Sequence, residues 1–342
     1  MSDTEIIRNF KYPEPKLDGA SILITGGTGS FGKKFVATIL GRFQPRKTII
    51  FSRDELKQSI MAQDFPHVTN RSIRFFIGDV RDRDRLQIAM RDVEYVIHAA
   101  ALKQIPTAEY NPMECINTNV MGAENILRAA IEAGVKKVIA LSTDKAVNPI
   151  NLYGASKLAS DKIFIAANNL SGASGTRFSV VRYGNVIGSR GSVIPFFKNL
   201  VAEGSKSLPI TDERMTRFWL TQEQAVDFVL SSFSIMAGGE VFVPKIPSMK
   251  MLDLAKSFAP GISHHVVGIR PGEKLHEVMI TQDEARNTLE MDDRYMIMPS
   301  FKFWDHNTVV PKHSEPVASD FVYSSDKNSE WLTSKALLKL CD

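Results

Sequence analysis

Tyr153 and Lys157 stand four residues apart in the run Tyr153-Gly154-Ala155-Ser156-Lys157, and on a helix that spacing puts both on one face. An ammonium beside a phenol lowers the phenol's pKa and makes it a usable general base near neutral pH. The spacing alone carries little, because Tyr12 and Lys16 share it while enclosing Pro13 and Pro15, which no helix interior tolerates. What sets Tyr153 apart is Thr143, a hydroxyl ten residues upstream at the end of an apolar run, followed by Asp144 and Lys145. An alcohol oxidised or deprotonated there would meet a tyrosine base, a hydroxyl donor and two further titratable groups.

A second constellation is Thr25-Gly26-Gly27-Thr28-Gly29-Ser30-Phe31-Gly32, glycines spaced G-x-x-G-x-x-G directly after the apolar run Ser21 to Thr25. A side chain at such a turn would keep the backbone from approaching a pyrophosphate, and the following helix offers free N–H groups and a positive dipole end. Gly26, Thr28, Gly29, Ser30, Phe31 and Gly32 are therefore candidates to hold a dinucleotide. Twenty residues past Gly32 comes Ser52-Arg53-Asp54-Glu55-Leu56-Lys57. An acid at this place suits the ribose 2′-hydroxyl of NAD, whereas Ser52, Arg53 and Lys57 suit a 2′-phosphate, so the run favours NADP, with Asp54 opposing. Asp79, followed by Val80, either contacts the adenine or caps a helix beginning near Asp82. The small residues around Ala99, before Lys103, allow a backbone to pass close to a cofactor, and His98 packs in the core.

These groups must be positioned by an alternating framework. Apolar runs at Ser21 to Thr25, Thr48 to Phe51, Ile73 to Ile77, Tyr95 to His98, Val138 to Leu141 and Phe178 to Val181 are separated by helix-length patterns, the first from Phe31 to about Leu40. Strand, helix, strand at this rhythm predicts right-handed crossovers and an α/β, Rossmann-type doubly wound parallel sheet. After about Asn185 the rhythm changes. Helices at Pro195 to Ala202 and Gln222 to Ala237 and a strand at Glu240 to Val243 suggest a smaller α/β lobe. The expected division is an N-terminal extension over 1–16, a cofactor domain over 17–185 and a mainly substrate-binding lobe over 186–342, with segments able to return to the Rossmann core.

The 342 residues give about two domains' worth of chain, 44% apolar and 23% charged, as in an ordinary globular enzyme. A net charge of +4 is too small to indicate nucleic-acid or membrane binding. Cys115 and Cys341 form no metal or disulfide pattern, and His264 and His265 would point to opposite faces of a strand, so no metal is expected. With no apolar leader, the expected compartment is the cytoplasm.

Glycine turn, Thr143, Tyr153 and Lys157 together resemble the extended short-chain dehydrogenase/reductase family. Where familiar nucleotide-sugar 4,6-dehydratases carry Thr-Asp-Glu, this chain has Thr143-Asp144-Lys145. That substitution, with SRDELKQS, STDKAVNPINLYGASK, VVRYGNVIGSRGSV, MTRFW, VPKIPSMKM and GIRPGEKLHE, is similar to the inverting UDP-N-acetylglucosamine 4,6-dehydratases of pseudaminic acid biosynthesis, from about Leu17 to about Leu340. Val147 stands where that group is expected to have alanine.

The resemblance implies a redox-neutral lyase holding NADP, acting on UDP-N-acetylglucosamine and assembling as a homo-oligomer, dimer-based and up to a hexamer. Tyr153 would take the sugar O4 proton with Thr143 bonding the same oxygen. Lys145, kept neutral by burial and by nearby cations including Lys157, would remove the C5 proton while Asp144 protonates the departing C6 hydroxyl. Val186, Ile187, Gly188, Ser189 and Arg190 would lie against the cofactor. Lys103, Asn185, Val193, Thr211, the diphosphate-binding Arg270 and the ribose acceptor Glu273 would hold the substrate. The alternatives are a UDP-sugar 4-epimerase or retaining dehydratase and, from another class, a non-catalytic NADP-binding regulatory protein.

Overall fold

The computed structural model describes residues 7–172, 175–189, 191–301, 311 and 313–341. The first half alternates as its apolar runs predict: β1 (Ser21–Thr25), α1 (Ser30–Arg42), β2 (Lys47–Ser52), α2 (Glu55–Asp64), β3 (Ile73–Ile77), α3 (Arg83–Ala89) and β4 (Tyr95–His98). Short helices α4 (Ile105–Tyr110) and α5 (Pro112–Ile116) run through a π turn at Asn117–Met121 into α6 (Gly122–Glu132). Then come β5 (Lys137–Thr143), a 3-10 turn at Asp144–Ala146, the long α7 (Leu152–Ser171) and β6 (Arg177–Tyr183). Strands β1, β2, β4, β5 and β6 are buried almost throughout, because helices cover both faces of the parallel sheet.

The second half consists of β7 (Asn185–Val186), α8 (Val193–Ala202), β8 (Ser207–Ile210), β9 (Thr216–Leu220), α9 (Gln222–Ile235), β10 (Val241–Pro244), β11 (Ser248–Lys250), α10 (Met251–Phe258), β12 (Ser263–Val266), β13 (Val278–Ile280), α11 (Gln282–Ala285), β14 (Thr288–Glu290), β15 (Arg294–Ile297), β16 (Glu315–Pro316), β17 (Tyr323–Ser324) and α12 (Ser334–Cys341). It does not form one separate lobe. β10 pairs parallel with β6, and β15, β14 and β16 extend the same sheet antiparallel, giving the order β16-β14-β15-β10-β6-β5-β4-β1-β2-β3. Helix α9, buried along most of its length, packs against α1 and belongs to the main core.

A second core lies under α8, β8, β9, α10 and α12, built from Ile194, Phe197, Leu208, Trp219, Leu254, Leu337 and their neighbours. The segment expected to be an appended extension is tied down. Phe10 is fully buried edge-on to Phe228 of α9 at 5.1 Å, and both guanidinium nitrogens of Arg8 reach Glu330 at 2.5 Å.

Candidate active site

One cleft of about 730 Å³ opens where the carboxyl ends of the parallel strands meet the second core. Its floor is the glycine turn. Gly26 has φ +66°, and a Cβ there would lie 2.9 Å from the Ala100 backbone; a Cβ on Gly32 would lie 2.3 Å from the Gly27 carbonyl oxygen. A Cβ on Gly29 meets only Gly26 O, at 3.2 Å, so its remaining side is open to the cleft. The turn is thus closed against β1 and β4 and bare toward the cleft, a cradle that any side chain would fill and that fits a dinucleotide pyrophosphate at the start of α1.

At one end of the cleft Ser52, Arg53, Asp54 and Lys57 stand in the wall with Asp79 and Val80. Asp54 caps α2, facing Lys57 Nζ at 2.5 Å and accepting from the Lys57 N–H at 2.9 Å; these contacts hold its carboxyl below the usual carboxylate range. Gln58 donates to the carbonyl and hydroxyl of Ser52, each at 3.0 Å. The cap of α3 is Asp82, which leaves Asp79 facing the cleft with Arg81 at 2.7 Å and Arg53 at 3.7 Å. Glu55 and the exposed Leu56 lie on the first turn of α2, away from the wall.

At the other end β5 delivers Thr143 and α7 delivers Tyr153 and Lys157. Asn151 caps α7 by accepting from the Gly154 N–H at 2.7 Å, and a Cβ on Gly154 would lie 2.2 Å from the Lys145 carbonyl oxygen, so the helix start is pressed against the 3-10 turn. Thr143, Lys145, Tyr153 and Lys157 all line the cleft. Burial pushes the Tyr153 phenol up to about 12, opposed by the Lys145 charge and by a hydrogen bond with Thr143. Lys157 stands in the same wall, one helical turn beyond Tyr153. Lys157 is itself pulled down by burial, against the pull of Asp161, which burial pushes up and to which Ser142 donates at 2.6 Å.

Asp144 and Lys145 differ from expectation. Asp144 is completely buried and does not reach the cleft wall; its Oδ1 accepts from Thr143 Oγ1 at 2.9 Å and from Lys145 Nζ at 3.0 Å, while Oδ2 has no partner. Desolvation pushes its carboxyl up despite the adjacent ammonium. Around Lys145 the structure places two carboxylates: burial lowers its pKa, and Asp144 and Glu277, the latter with Oε1 3.1 Å from Nζ, pull it up again against Arg217. Glu277 has no role in the sequence reading, although it ends the run GIRPGEKLHE; nothing in spacing announces that a residue 132 positions beyond Lys145 meets it.

The remaining expected residues divide. Thr28, Ser30, Phe31, Ala99, Lys103, Asn185, Val186 and Ser189 line the cleft, Lys103 with its pKa lowered by burial and Asn185 with a buried Oδ1 that has no partner. Ile187 instead belongs to the second core, and Gly188 borders a different hollow beside Arg8 and Lys198. Val193, Thr211, Arg270 and Glu273 do not form the cleft wall; Arg270 pairs with Glu273 at 3.8 Å in the loop before β13. That loop is anchored over the active turn, with Asn151 Nδ2 donating to Gly272 O at 2.7 Å and Lys274 Nζ to Val147 O at 2.5 Å. Arg190 lies outside the described residues.

Residues 22–299 match the family model described as polysaccharide biosynthesis protein. The chain belongs to that family. Within reach of it, the chain is 58% identical to a UDP-N-acetylglucosamine 4,6-dehydratase (inverting) of Campylobacter jejuni, covering 94% of this chain and 97% of the relative. It is 45% identical to a UDP-glucose 4-epimerase of Rickettsia bellii over 81% of this chain and 82% of that one. Among solved structures, Pen from Bacillus thuringiensis superposes with a TM-score of 0.86 at 35% identity, covering 95% of this chain and 97% of Pen. The fold is that of the extended short-chain dehydrogenases/reductases, as the sheet order also shows.

Proposed function

We propose that this protein is an inverting UDP-N-acetylglucosamine 4,6-dehydratase that holds NADP, forms the 4-keto-6-deoxy L-arabino sugar nucleotide and opens pseudaminic acid biosynthesis. The observation carrying the reading is the Asp144–Lys145 pair joined through Thr143 to the cleft wall occupied by Tyr153. A 4-epimerase needs only the tyrosine and a keto sugar that turns over, whereas elimination of water needs an added acid and base. The 58% identity to a relative named for this activity supports the same choice.

When bound, the nicotinamide supplies a reversible hydride acceptor for C4 and a donor to C6. Tyr153 accepts the O4 proton in its phenolate form, which the Lys145 charge and the Thr143 hydrogen bond favour against burial, with Thr143 bonding the same oxygen. The 4-ketone acidifies C5–H, and Lys145 in its amine form takes that proton while Asp144 supplies the one that leaves with the C6 hydroxyl as water. Asp144 sits behind the wall, with Thr143 Oγ1 and Lys145 Nζ standing between its Oδ1 and the cleft. NADP is favoured over NAD because Arg53 and Ser52 are on the wall while the Asp54 carboxylate is occupied as a helix cap.

Incubation with UDP-N-acetylglucosamine in D2O, sampled early by NMR, is expected to give a 4-keto-6-deoxy product with one deuterium at C5 in the L-arabino configuration and a C6 methyl group free of solvent deuterium. A D-xylo first product would overturn inversion alone. A C4 epimer with no deuterium at C5 would instead favour the epimerase reading that the Rickettsia relative's name carries.

A further inference from the structure

Lys145 is faced by Asp144 on its own turn, Glu277 at the edge of β13, Arg217 from β9, Lys274 from the preceding loop and Tyr153 from α7. Glu277 is the only carboxylate among these that comes from the second half of the chain. Its backbone is fixed on both sides by Ser325, which accepts the Glu277 N–H at 2.9 Å and returns an N–H to the Glu277 carbonyl at 2.8 Å. Its carboxylate is almost wholly buried, with Oε1 3.1 Å from Lys145 Nζ and 3.8 Å from Arg217 Nε, and Oε2 3.7 Å from Lys274 Nζ. Three cations around one carboxylate keep it ionised.

We propose that Glu277 is a positioning residue for the Asp144–Lys145 pair: it clamps Lys145 from across the fold and keeps one proton shared between the two catalytic groups. The proposal rests on the dehydratase reading. A carboxylate Asp144 with an ammonium Lys145 carries the same single proton as a carboxylic acid Asp144 with an amine Lys145. Passage of the Nζ proton to Oδ1 across 3.0 Å interconverts them with no change in total charge. Only the second form can give a proton to the C6 hydroxyl and take one from C5. The negative charge of Glu277 tightens proton binding by both groups, so the pair loses its first and second protons at higher pH than it would alone.

Single turnovers with UDP-N-acetylglucosamine across a pH series test this, with bound-cofactor reduction and dehydrated product followed in the same samples. In Glu277→Gln both limbs of the dehydration profile are expected to move to lower pH, by about one unit or more for a charge lost at this distance, while the pH dependence of cofactor reduction does not follow. Glu277→Asp should shift the limbs in the same direction by less, and it carries the test if the glutamine variant does not fold. Limbs that stay where the native ones are, or oxidation and dehydration falling in parallel at every pH, would overturn the proposal. If the native enzyme itself forms no dehydrated product, the dehydratase reading fails before any variant is compared.

Discussion

Arg53 is the side chain on which the proposed preference for NADP rests most directly. Its guanidinium is more than half exposed at the cleft end and only 3.7 Å from Asp79, a loose contact that leaves the planar fork able to turn onto a phosphate. A charge-assisted contact of this kind is worth about 1.5 to 3 kcal/mol, so Arg53→Ala should weaken NADP roughly 10- to 100-fold and leave NAD nearly unchanged. Titration of both cofactors against the variant decides; equal losses for the two would remove Arg53 from 2′-phosphate recognition. Sequence made Arg53, Ser52 and Lys57 visible, because their distance from the glycine turn is nearly constant in a βαβ unit. It did not reveal that Asp54 is consumed as a helix cap, since an acid at a helix start looks the same whether it caps or binds.

At the level of elements, the glycine turn and α1 act as one unit. The contact between Gly32 and the Gly27 carbonyl is so close that a methyl group at position 32 would sit 2.3 Å from that oxygen, and the atoms it meets are all backbone of Gly27. Gly32→Ala should therefore displace the turn, destabilise the protein by about 1 to 3 kcal/mol as overpacking does, and weaken NADP at least tenfold. Native cofactor affinity and an unchanged denaturation midpoint would show that the turn can yield. The same logic explains how Tyr153 and Lys157 are placed: α7 begins where Asn151 caps it and Gly154 admits the 3-10 turn, so the helix start and the turn carrying Lys145 are held together by one contact.

Across the whole molecule, the N-terminal segment bolts the second core to the first. Phe10 is wholly enclosed against α9, and Arg8 reaches Glu330 just ahead of α12. Phe10→Ala should cost about 3 to 5 kcal/mol, the usual loss for an enclosed phenylalanine, readable as a lower midpoint in urea with little change at the catalytic residues. A loss within about 0.5 kcal/mol, the usual range for surface positions, would mean the segment is merely laid on the protein.

The alternating framework, the glycine cradle, the grouping of Thr143, Tyr153 and Lys157 and the run around Arg53 were legible in the residues alone, because each depends on residues close together in the chain whose periodicity or spacing is the structure. Three further features depend on contacts between distant parts of the chain. The fold returned β10, β14, β15 and β16 to the main sheet, which short strands with no distinctive pattern do not announce. It enclosed Asp144 and set Glu277 against Lys145, because burial and the approach of Glu277 depend on how the loop before β13 folds back over the 3-10 turn. It also withdrew Ile187 into the second core, since an apolar residue between two cavities carries no mark of which one it will face. Local chemistry is written in neighbouring residues; charge state and burial are written in contacts between distant ones.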